Sequence, residues 1–116
     1  MTSGSEVPRL TDMIEAIEVV LGELDGVSLD AFEADRRKRW IVERGLEIIS
    51  EASRHLGAAT KARHPEIPWK RVAGIGNVLR HEYAKVAPPL LWALARDDLP
   101  ALDRACRAER ARAAPT

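Results

Sequence analysis

Apolar side chains recur at helical spacing in the first segment of the chain. The steps alternate between four and three residues, at Leu10, Ile14, Ile17, Leu21 and Leu24. This spacing predicts a bundle helix with one buried stripe. Pro8 suits the first turn of that helix, and Asp25-Gly26 is a typical C-terminal stop. Residues 1–7, which precede it, predict a disordered leader.

The next apolar segment is wider. Ser28 can cap a helix start that carries Leu29 and Phe32 on its apolar side. From Trp40 onward, two adjacent stripes form, made of Val42, Leu46 and Ile49 and of Ile41, Ile48 and Ala52. A single packing partner does not cover so wide a surface, so the pattern predicts a bundle interior together with a homodimer contact.

Prolines and glycines divide the second half. The segment 57–68 predicts a loop, and Pro68 opens a helix whose inward positions are Trp69, Val72, Ile75 and Leu79. Pro88-Pro89 opens another helix, and Pro100 predicts a boundary before a short basic C-terminal helix. No strand-like alternation occurs. The prediction is an all-α, antiparallel bundle of four to five helices, with one domain at 8–112 and a disordered tail at 113–116.

Composition narrows the class of protein. The 116 residues contain 46% hydrophobic and 31% charged residues, which is typical of one folded, soluble domain. Eighteen basic residues balance eighteen acidic ones, so net charge gives no support for a protein that coats nucleic acid through a global field, and any nucleic-acid contact has to come from a local patch. The single cysteine, Cys106, permits no internal disulfide and suits a reducing cytoplasm; we interpret it as a small helix residue. No stretch is apolar enough for a membrane span.

The segment 77–83 carries the most chemistry. It brings an amide, a guanidinium, an imidazole and a phenol into two helical turns, from Asn77, Arg80, His81 and Tyr83. A guanidinium neutralises a phosphate, and an imidazole moves a proton near neutral pH, so this set can cut RNA without a metal. Gly74 and Gly76 lie inside the same helix, where each costs roughly 1 kcal/mol against alanine. Close helix approach and access for a substrate backbone both explain them.

Other polar clusters give weaker signals. The basic run 36–39 is interpreted as a solvated face, with a phosphate-contacting patch as the alternative. Glu43, Glu47 and Glu51 step by four toward His55, but a di-iron site needs Glu-x-x-His on two helices, so a di-metal site is rejected. Glu43 or Glu47 can instead orient an arginine of the cleft, whereas a surface pair with Arg44 or Lys38 is expected for Glu51. His64 is predicted to be an exposed turn residue. Neither a nucleophile elbow nor a phosphate-binding glycine loop is present.

Several short blocks resemble the HepT-type branch of the HEPN ribonuclease toxins, in order and from Arg9 to about Leu102. They are Arg9-Leu-Thr-Asp-Met-Ile-Glu-Ala-Ile, Glu43-Arg-Gly-Leu-Glu-Ile-Ile-Ser-Glu-Ala, His64-Pro-Glu-Ile-Pro-Trp-Lys, Asn77-Val-Leu-Arg-His-Glu-Tyr and Asp98-Leu-Pro-Ala-Leu. The resemblance implies an all-helical homodimer and RNA cleavage without metal or cofactor at a cleft between protomers. It also implies an antitoxin partner, an MNT-type nucleotidyltransferase, which in some members attaches AMP to the motif tyrosine, here Tyr83.

One position departs from the family motif, which is arginine, four residues, histidine, one residue, tyrosine. Gly76 stands where the arginine belongs, and Arg80 is the nearest substitute, with Arg71 more distant. Two hypotheses follow: an endoribonuclease toxin that uses His81, Arg80 and Asn77, or a catalytically impaired helical partner that the nucleotidyltransferase binds and AMPylates. A helical scaffold or nucleotide-binding bundle without a toxin role is the third interpretation.

Overall fold

The computed structural model describes residues 4–81 and 88–113. A short 3-10 turn at Gly4–Glu6 precedes six α-helices. They are α1 at Val7–Leu24, α2 at Leu29–Ala34, α3 at Arg36–Ser53, α4 at Ala58–Ala62, α5 at Trp69–His81 and α6 at Pro88–Ala113. The described residues contain no strand, so the all-α prediction is confirmed; α1, α3, α5 and α6 are the long helices of the bundle, and α2 and α4 are short additions.

The long helices pack around α1. This helix lies against α3 and α6, and α3 also lies against α5. Their facing stripes form one aliphatic core, whose fully buried members include Leu10, Ile17, Leu46, Ile49, Leu91, Leu99 and Leu102. Each such side chain contributes about 1.5–3 kcal/mol when it leaves water, so the stripes set which helix faces meet.

Short polar side chains fix the helix starts. The Ser28 hydroxyl accepts a hydrogen bond from the Ala31 N–H, at 3.1 Å, and the Asp35 carboxylate accepts one from the Lys38 N–H, at 3.0 Å. These caps satisfy N–H groups that have no partner inside the helix. Gly26, with φ of 69°, follows α1 in the left-handed conformation that glycine tolerates, so the predicted stop at Asp25-Gly26 is confirmed.

Pro100 does not end a helix, contrary to the prediction. It lies inside α6, which continues for 26 residues. An interior proline removes one helix hydrogen bond and costs about 3 kcal/mol. Leu99 and Leu102 are both buried beside it, and their packing on the core fixes the helix direction on each side. None of the described helices has the length and the apolar character that crossing a bilayer requires.

The start of the chain and the segment 57–68 are more ordered than predicted. Residues 4–7 are helical, and Glu6 is buried, where it accepts hydrogen bonds from the Gly57 N–H and from the Thr60 hydroxyl. Helix α4 occupies part of the predicted loop. The residues that these bonds join lie more than 50 positions apart, so no local pattern indicates them.

Glu109 organises a second buried polar cluster. Its carboxylate is 2% exposed and accepts hydrogen bonds from Arg63 Nε and Nη2, at 2.8 and 2.7 Å, and from His64 Nε2, at 2.8 Å. The hydrogen bonds from Arg63, and then that from His64, outweigh the effect of burial and lower the pKa of Glu109 from 4.5 to about 2. The prediction of an exposed His64 is therefore wrong, because a carboxylate 45 positions away draws the ring inward.

Candidate functional site

Three of the predicted site residues lie at the end of α5. Asn77, Arg80 and His81 are all exposed there, while Val72, Ile75 and Leu79 turn the other face of the helix into the core. Tyr83 lies outside the described residues. Neither Arg80 nor His81 forms an ion pair within the part of the chain that the structure describes, so both side chains remain available to a ligand.

Ser50 joins α3 to α5 beside these residues. Its buried hydroxyl donates to the Ala73 carbonyl at 2.7 Å and accepts from the Gly76 N–H at 3.0 Å. A Cβ at Gly76 would lie only 3.0 Å from the Ser50 Oγ. The glycine therefore permits the close helix approach, one of the two explanations that the sequence left open. Gly74 has nothing within 4 Å of the equivalent position, so crowding does not explain it.

The Arg80 side chain covers Gly76. Its Nη1 atom lies 3.2 Å from the position that a Cβ at Gly76 would take. Helical side chains lean toward the N-terminus and meet the residue four positions earlier, which is the relation between Arg80 and Gly76. The guanidinium thus lies in contact with the position at which the side chain of the motif arginine would begin.

Arg71 has a different environment. Its Nε and Nη2 donate to the two carboxylate oxygens of Asp98, at 3.0 and 2.7 Å. A guanidinium that already forms a bidentate ion pair with a carboxylate is not available to a phosphate. Of the two arginines considered as substitutes, Arg80 is therefore the candidate.

Acidic residues of α3 pair differently from the prediction. Glu47 accepts a hydrogen bond from Arg44 at 3.2 Å, which is a surface pair, and Lys38 bonds Glu23 at 2.8 Å. Glu51 accepts a hydrogen bond from His55 at 3.2 Å, so its predicted pairing with Arg44 or Lys38 is wrong.

The charge of Arg80 affects the pKa of the Glu51 carboxylate. The hydrogen bond from His55, with smaller effects from the charges of Arg54 and Arg80, lowers the pKa of Glu51. Glu47 is engaged by Arg44 instead, and Glu43 is half-buried one helical turn before it. The arginine-orienting role of Glu43 or Glu47 stays a prediction, and Glu51 is a further acidic residue on which the charge of Arg80 acts.

Arg54 is the residue near the site that the sequence did not indicate. Its Nε and Nη2 donate to the Ala73 carbonyl of α5, at 3.2 and 3.1 Å, while the side chain stays exposed. Ser50 meets Gly76 and Arg54 meets Ala73, so α3 and α5 are antiparallel. The only signal in the sequence is that Ser50 and Arg54 lie four apart on one helix face.

An exposed apolar surface lies between α1 and α3. Val19, Trp40 and Ile41 are 53%, 54% and 38% exposed, and they line a groove of about 500 Å³. The basic run 36–39 forms the first turn of α3 beside it, and the Arg36 guanidinium lies 5.9 Å from the Trp40 ring centre. We call Val19, Trp40 and Ile41, with Ile48, the α1/α3 apolar face.

Two other kinds of site find no support in the described residues. Within residues 4–81 and 88–113, no three His, Cys, Asp or Glu side chains come together as metal ligands would. Cys106 is buried, and burial raises the pKa of its thiol to about 12, so it stays protonated and is no nucleophile.

Comparisons with known proteins identify the class of protein. Residues 13–109 match the family described as "Ribonuclease HepT-like". The chain is 37% identical to the protein named "Probable ribonuclease HepT" of Thermococcus cleftensis, over 80% of this chain and 84% of the relative. It is 32% identical to a protein of Methanocaldococcus jannaschii whose name is "Putative RNase MJ1380", over 82% and 87% of the two chains.

The chain therefore belongs to the HepT-like ribonuclease family, within the HEPN group. A third relative, from Caldanaerobacter subterraneus and also named an RNase, is 30% identical over 84% of this chain and 87% of its own. No solved structure gives a significant match.

Proposed function

We propose that this protein is a metal-independent endoribonuclease and the toxin of a toxin–antitoxin pair. The observation that carries the proposal is the position of the Arg80 guanidinium, which lies over Gly76 and next along the chain to the exposed His81. The family membership, and the names of the relatives, support RNA as the substrate. The missing motif arginine then has a substitute four residues later on the same helix face.

The chemistry follows from these side chains. The His81 imidazole takes the proton of a ribose 2′-hydroxyl, and the 2′-oxygen then attacks the adjacent phosphorus. The bond from phosphorus to the 5′-oxygen breaks, this oxygen takes a proton from water, and a 2′,3′-cyclic phosphate remains. Arg80 stabilises the additional negative charge on the phosphate during attack. Asn77, one turn before His81, donates a hydrogen bond to a phosphate oxygen, and Tyr83 positions the substrate.

Purified protein is expected to cut single-stranded RNA in excess chelator and to leave 2′,3′-cyclic phosphate ends. Replacing His81 with alanine should lower the rate by about 10²–10⁴-fold, because general-base catalysis contributes that much. Electrophoresis of end-labelled RNA measures the rate, and an RNA with one 2′-deoxyribose at the cut site is the control. Cutting at the deoxy position, or an unchanged rate in His81→Ala, would contradict the mechanism.

The second candidate is a catalytically impaired partner that a nucleotidyltransferase antitoxin of the MNT type binds and AMPylates at Tyr83. Gly76 favours it, because glycine has no charge with which to hold a phosphate. The same preparation separates the two candidates. Uncut RNA, together with a mass increase of one AMP on Tyr83 after co-expression with the antitoxin, supports the second.

The α1/α3 apolar face supports a homodimer. Its size and exposure are typical of an interaction surface. Arg44, Ile48, Glu51 and His55 follow one stripe of α3 in steps of four, three and four, so the apolar face continues into the charged residues near Arg80. A second subunit seated on the apolar part would therefore border the cleft.

Replacing Ile41 with glutamate is expected to convert the dimer to a monomer, because a buried unpaired charge costs several kcal/mol. Light scattering after gel filtration measures the mass. Leu90→Glu is the matched control, since Leu90 is 49% exposed and lines a different apolar groove, between α5 and α6. If the wild type is monomeric, or if only Leu90→Glu dissociates the dimer, the dimer contact does not lie on the α1/α3 apolar face.

A further inference from the structure

Arg54 and Arg80 lie side by side along one face of α5. The Arg54 guanidinium is bound to the Ala73 carbonyl, and the Arg80 guanidinium lies over Gly76. Ala73 and Gly76 are three residues apart, which is roughly 4.5 Å along a helix axis. Two positive groups from two helices therefore lie close together at the seam between α3 and α5.

Neither charge is neutralised by an ion pair. Arg44, Arg63, Arg71 and Arg107 each bond a carboxylate, whereas no carboxylate within the described residues lies at ion-pair distance from Arg54 or Arg80. A backbone carbonyl fixes the Arg54 fork without removing its charge. Two of the five N–H donors of the fork are used in this way, and the others remain for a ligand.

Glu51 is an acidic group on which both of these arginines act. It bonds His55, and both arginines favour its ionised form. Arg54 and Arg80 together carry more positive charge than the Glu51 carboxylate alone can balance. A rigid guanidinium with free N–H groups is the arrangement that proteins use to bind a phosphate diester.

We propose that Arg54 is a second phosphate ligand for RNA, which binds the phosphodiester next to the one that Arg80 contacts. The inference rests on the proposed function, and it adds a binding residue outside the motif. The RNA backbone then crosses the seam between α3 and α5 from His81 toward Ala73. Arg54 acts in binding and takes no part in the proton transfer.

The binding test uses a fluorescein-labelled single-stranded RNA of about 12 nucleotides and protein that carries His81→Ala, so that the probe stays intact. Adding Arg54→Gln is expected to raise Kd about 10-fold and to reduce the slope of log Kd against log salt by about 0.7, the value for one lost phosphate contact. Arg54→Lys keeps the charge and is expected to keep the slope. Arg104→Gln, an exposed arginine on α6, is the matched control and should change Kd less than about twofold.

The kinetic test uses the protein with His81 intact. Arg54→Gln is expected to raise KM about 10-fold and to change kcat less than about threefold, because the lost contact is the same in the ground state and the transition state. If Arg54 only ties α3 to α5, Arg54→Gln will lower Tm while Kd and KM stay unchanged, and this result overturns the inference.

Failure of the inference can be distinguished from failure of the proposed function. Cleavage that Arg54→Gln leaves unchanged overturns only the inference. RNA that the wild type binds through Arg54 but never cuts overturns the proposed nuclease and supports the binding site. If the His81→Ala protein does not bind the probe, the proposed binding site is overturned.

Discussion

Replacing Arg80 with alanine is expected to lower kcat/KM for RNA cleavage by at least about 10²-fold. Removing a single group that stabilises developing negative charge typically costs 10²–10³ in rate, or about 2.7–4 kcal/mol. The guanidinium of Arg80 lies over Gly76 and beside His81, where the charge on the attacked phosphate would develop. End-labelled RNA in excess chelator, with enzyme in excess for single turnovers, measures this effect directly.

Arg71→Ala is the matched control for this experiment. It removes another arginine of α5, but one that is bound to Asp98, so cleavage should change less than about threefold. Arg80→Lys should recover part of the rate, because the charge returns without the planar fork. Equal rates for wild type and Arg80→Ala, or a larger loss in Arg71→Ala, would mean that Arg80 has not replaced the motif arginine.

Gly76→Arg is a poor substitute for these variants. A side chain at this position meets the Ser50 hydroxyl at 3.0 Å and the Arg80 guanidinium at 3.2 Å. Restoring the arginine of the family motif would therefore push α3 and α5 apart or displace Arg80. Any loss of cleavage in Gly76→Arg would mix these effects with those of charge.

Replacing Glu109 with alanine is expected to lower the free energy of unfolding by about 3–5 kcal/mol at neutral pH. Removal of one partner of a buried ion pair leaves the other charge uncompensated, here that of Arg63, and it also removes the hydrogen-bond partner of His64. Domains of this size have about 5–15 kcal/mol in total, so the variant is expected to be close to unfolding at 37 °C. Urea titration followed by circular dichroism measures the loss.

The same carboxylate makes stability depend on pH in a defined direction. The pKa of Glu109 falls from 4.5 in the unfolded chain to about 2 in the folded one, so its contribution is present above pH 4.5 and is lost as the pH falls toward 2. A shift of this size corresponds to about 3 kcal/mol. The difference in stability between wild type and Glu109→Gln should therefore shrink between pH 5 and pH 2.

Glu51→Gln provides the control for the Glu109 experiments. Glu51 also bonds a histidine, but its side chain is 59% exposed, so water screens the pair and stability should change little. A small effect of Glu109→Ala, or a gap between wild type and Glu109→Gln that stays constant with pH, would show that the cluster contributes no electrostatic stability.

The sequence predicted the helices well where the apolar stripe is regular. The stripe from Leu10 to Leu24 became α1, and Ser28 caps α2 as predicted, whereas the cap at Asp35 that begins α3 was not predicted. Pro100 was misread because local chemistry stops helices at proline, whereas packing of neighbouring leucines continued α6 through it. His64 was misread because its partner, Glu109, lies in α6, 45 positions later in the chain.

Only part of the candidate site could be predicted from the sequence. Arg80 and His81 were recognisable because they lie next to each other in one helix, and their exposure depends only on which face of α5 is polar. Ser50 and Arg54 were not, because their relation to α5 is a contact between residues 19 or more positions apart in the chain. The Glu51 pairing was wrong for a different reason: its partner, His55, lies only four positions later, so this is a local contact that competed with the pairings expected for Arg44 and Lys38.

By itself, the order of side chains determined which segments are helical, which faces are apolar and where a guanidinium and an imidazole adjoin, because all of these are properties of consecutive residues under a fixed helical period. The contact of Arg80 with Gly76 is of the same local kind, whereas only the tertiary structure decided that Ser50 and Arg54 bond α5 and that Glu109 binds Arg63 and His64. Those contacts depend on the distance and rotation between helices, which the packing of the whole core sets.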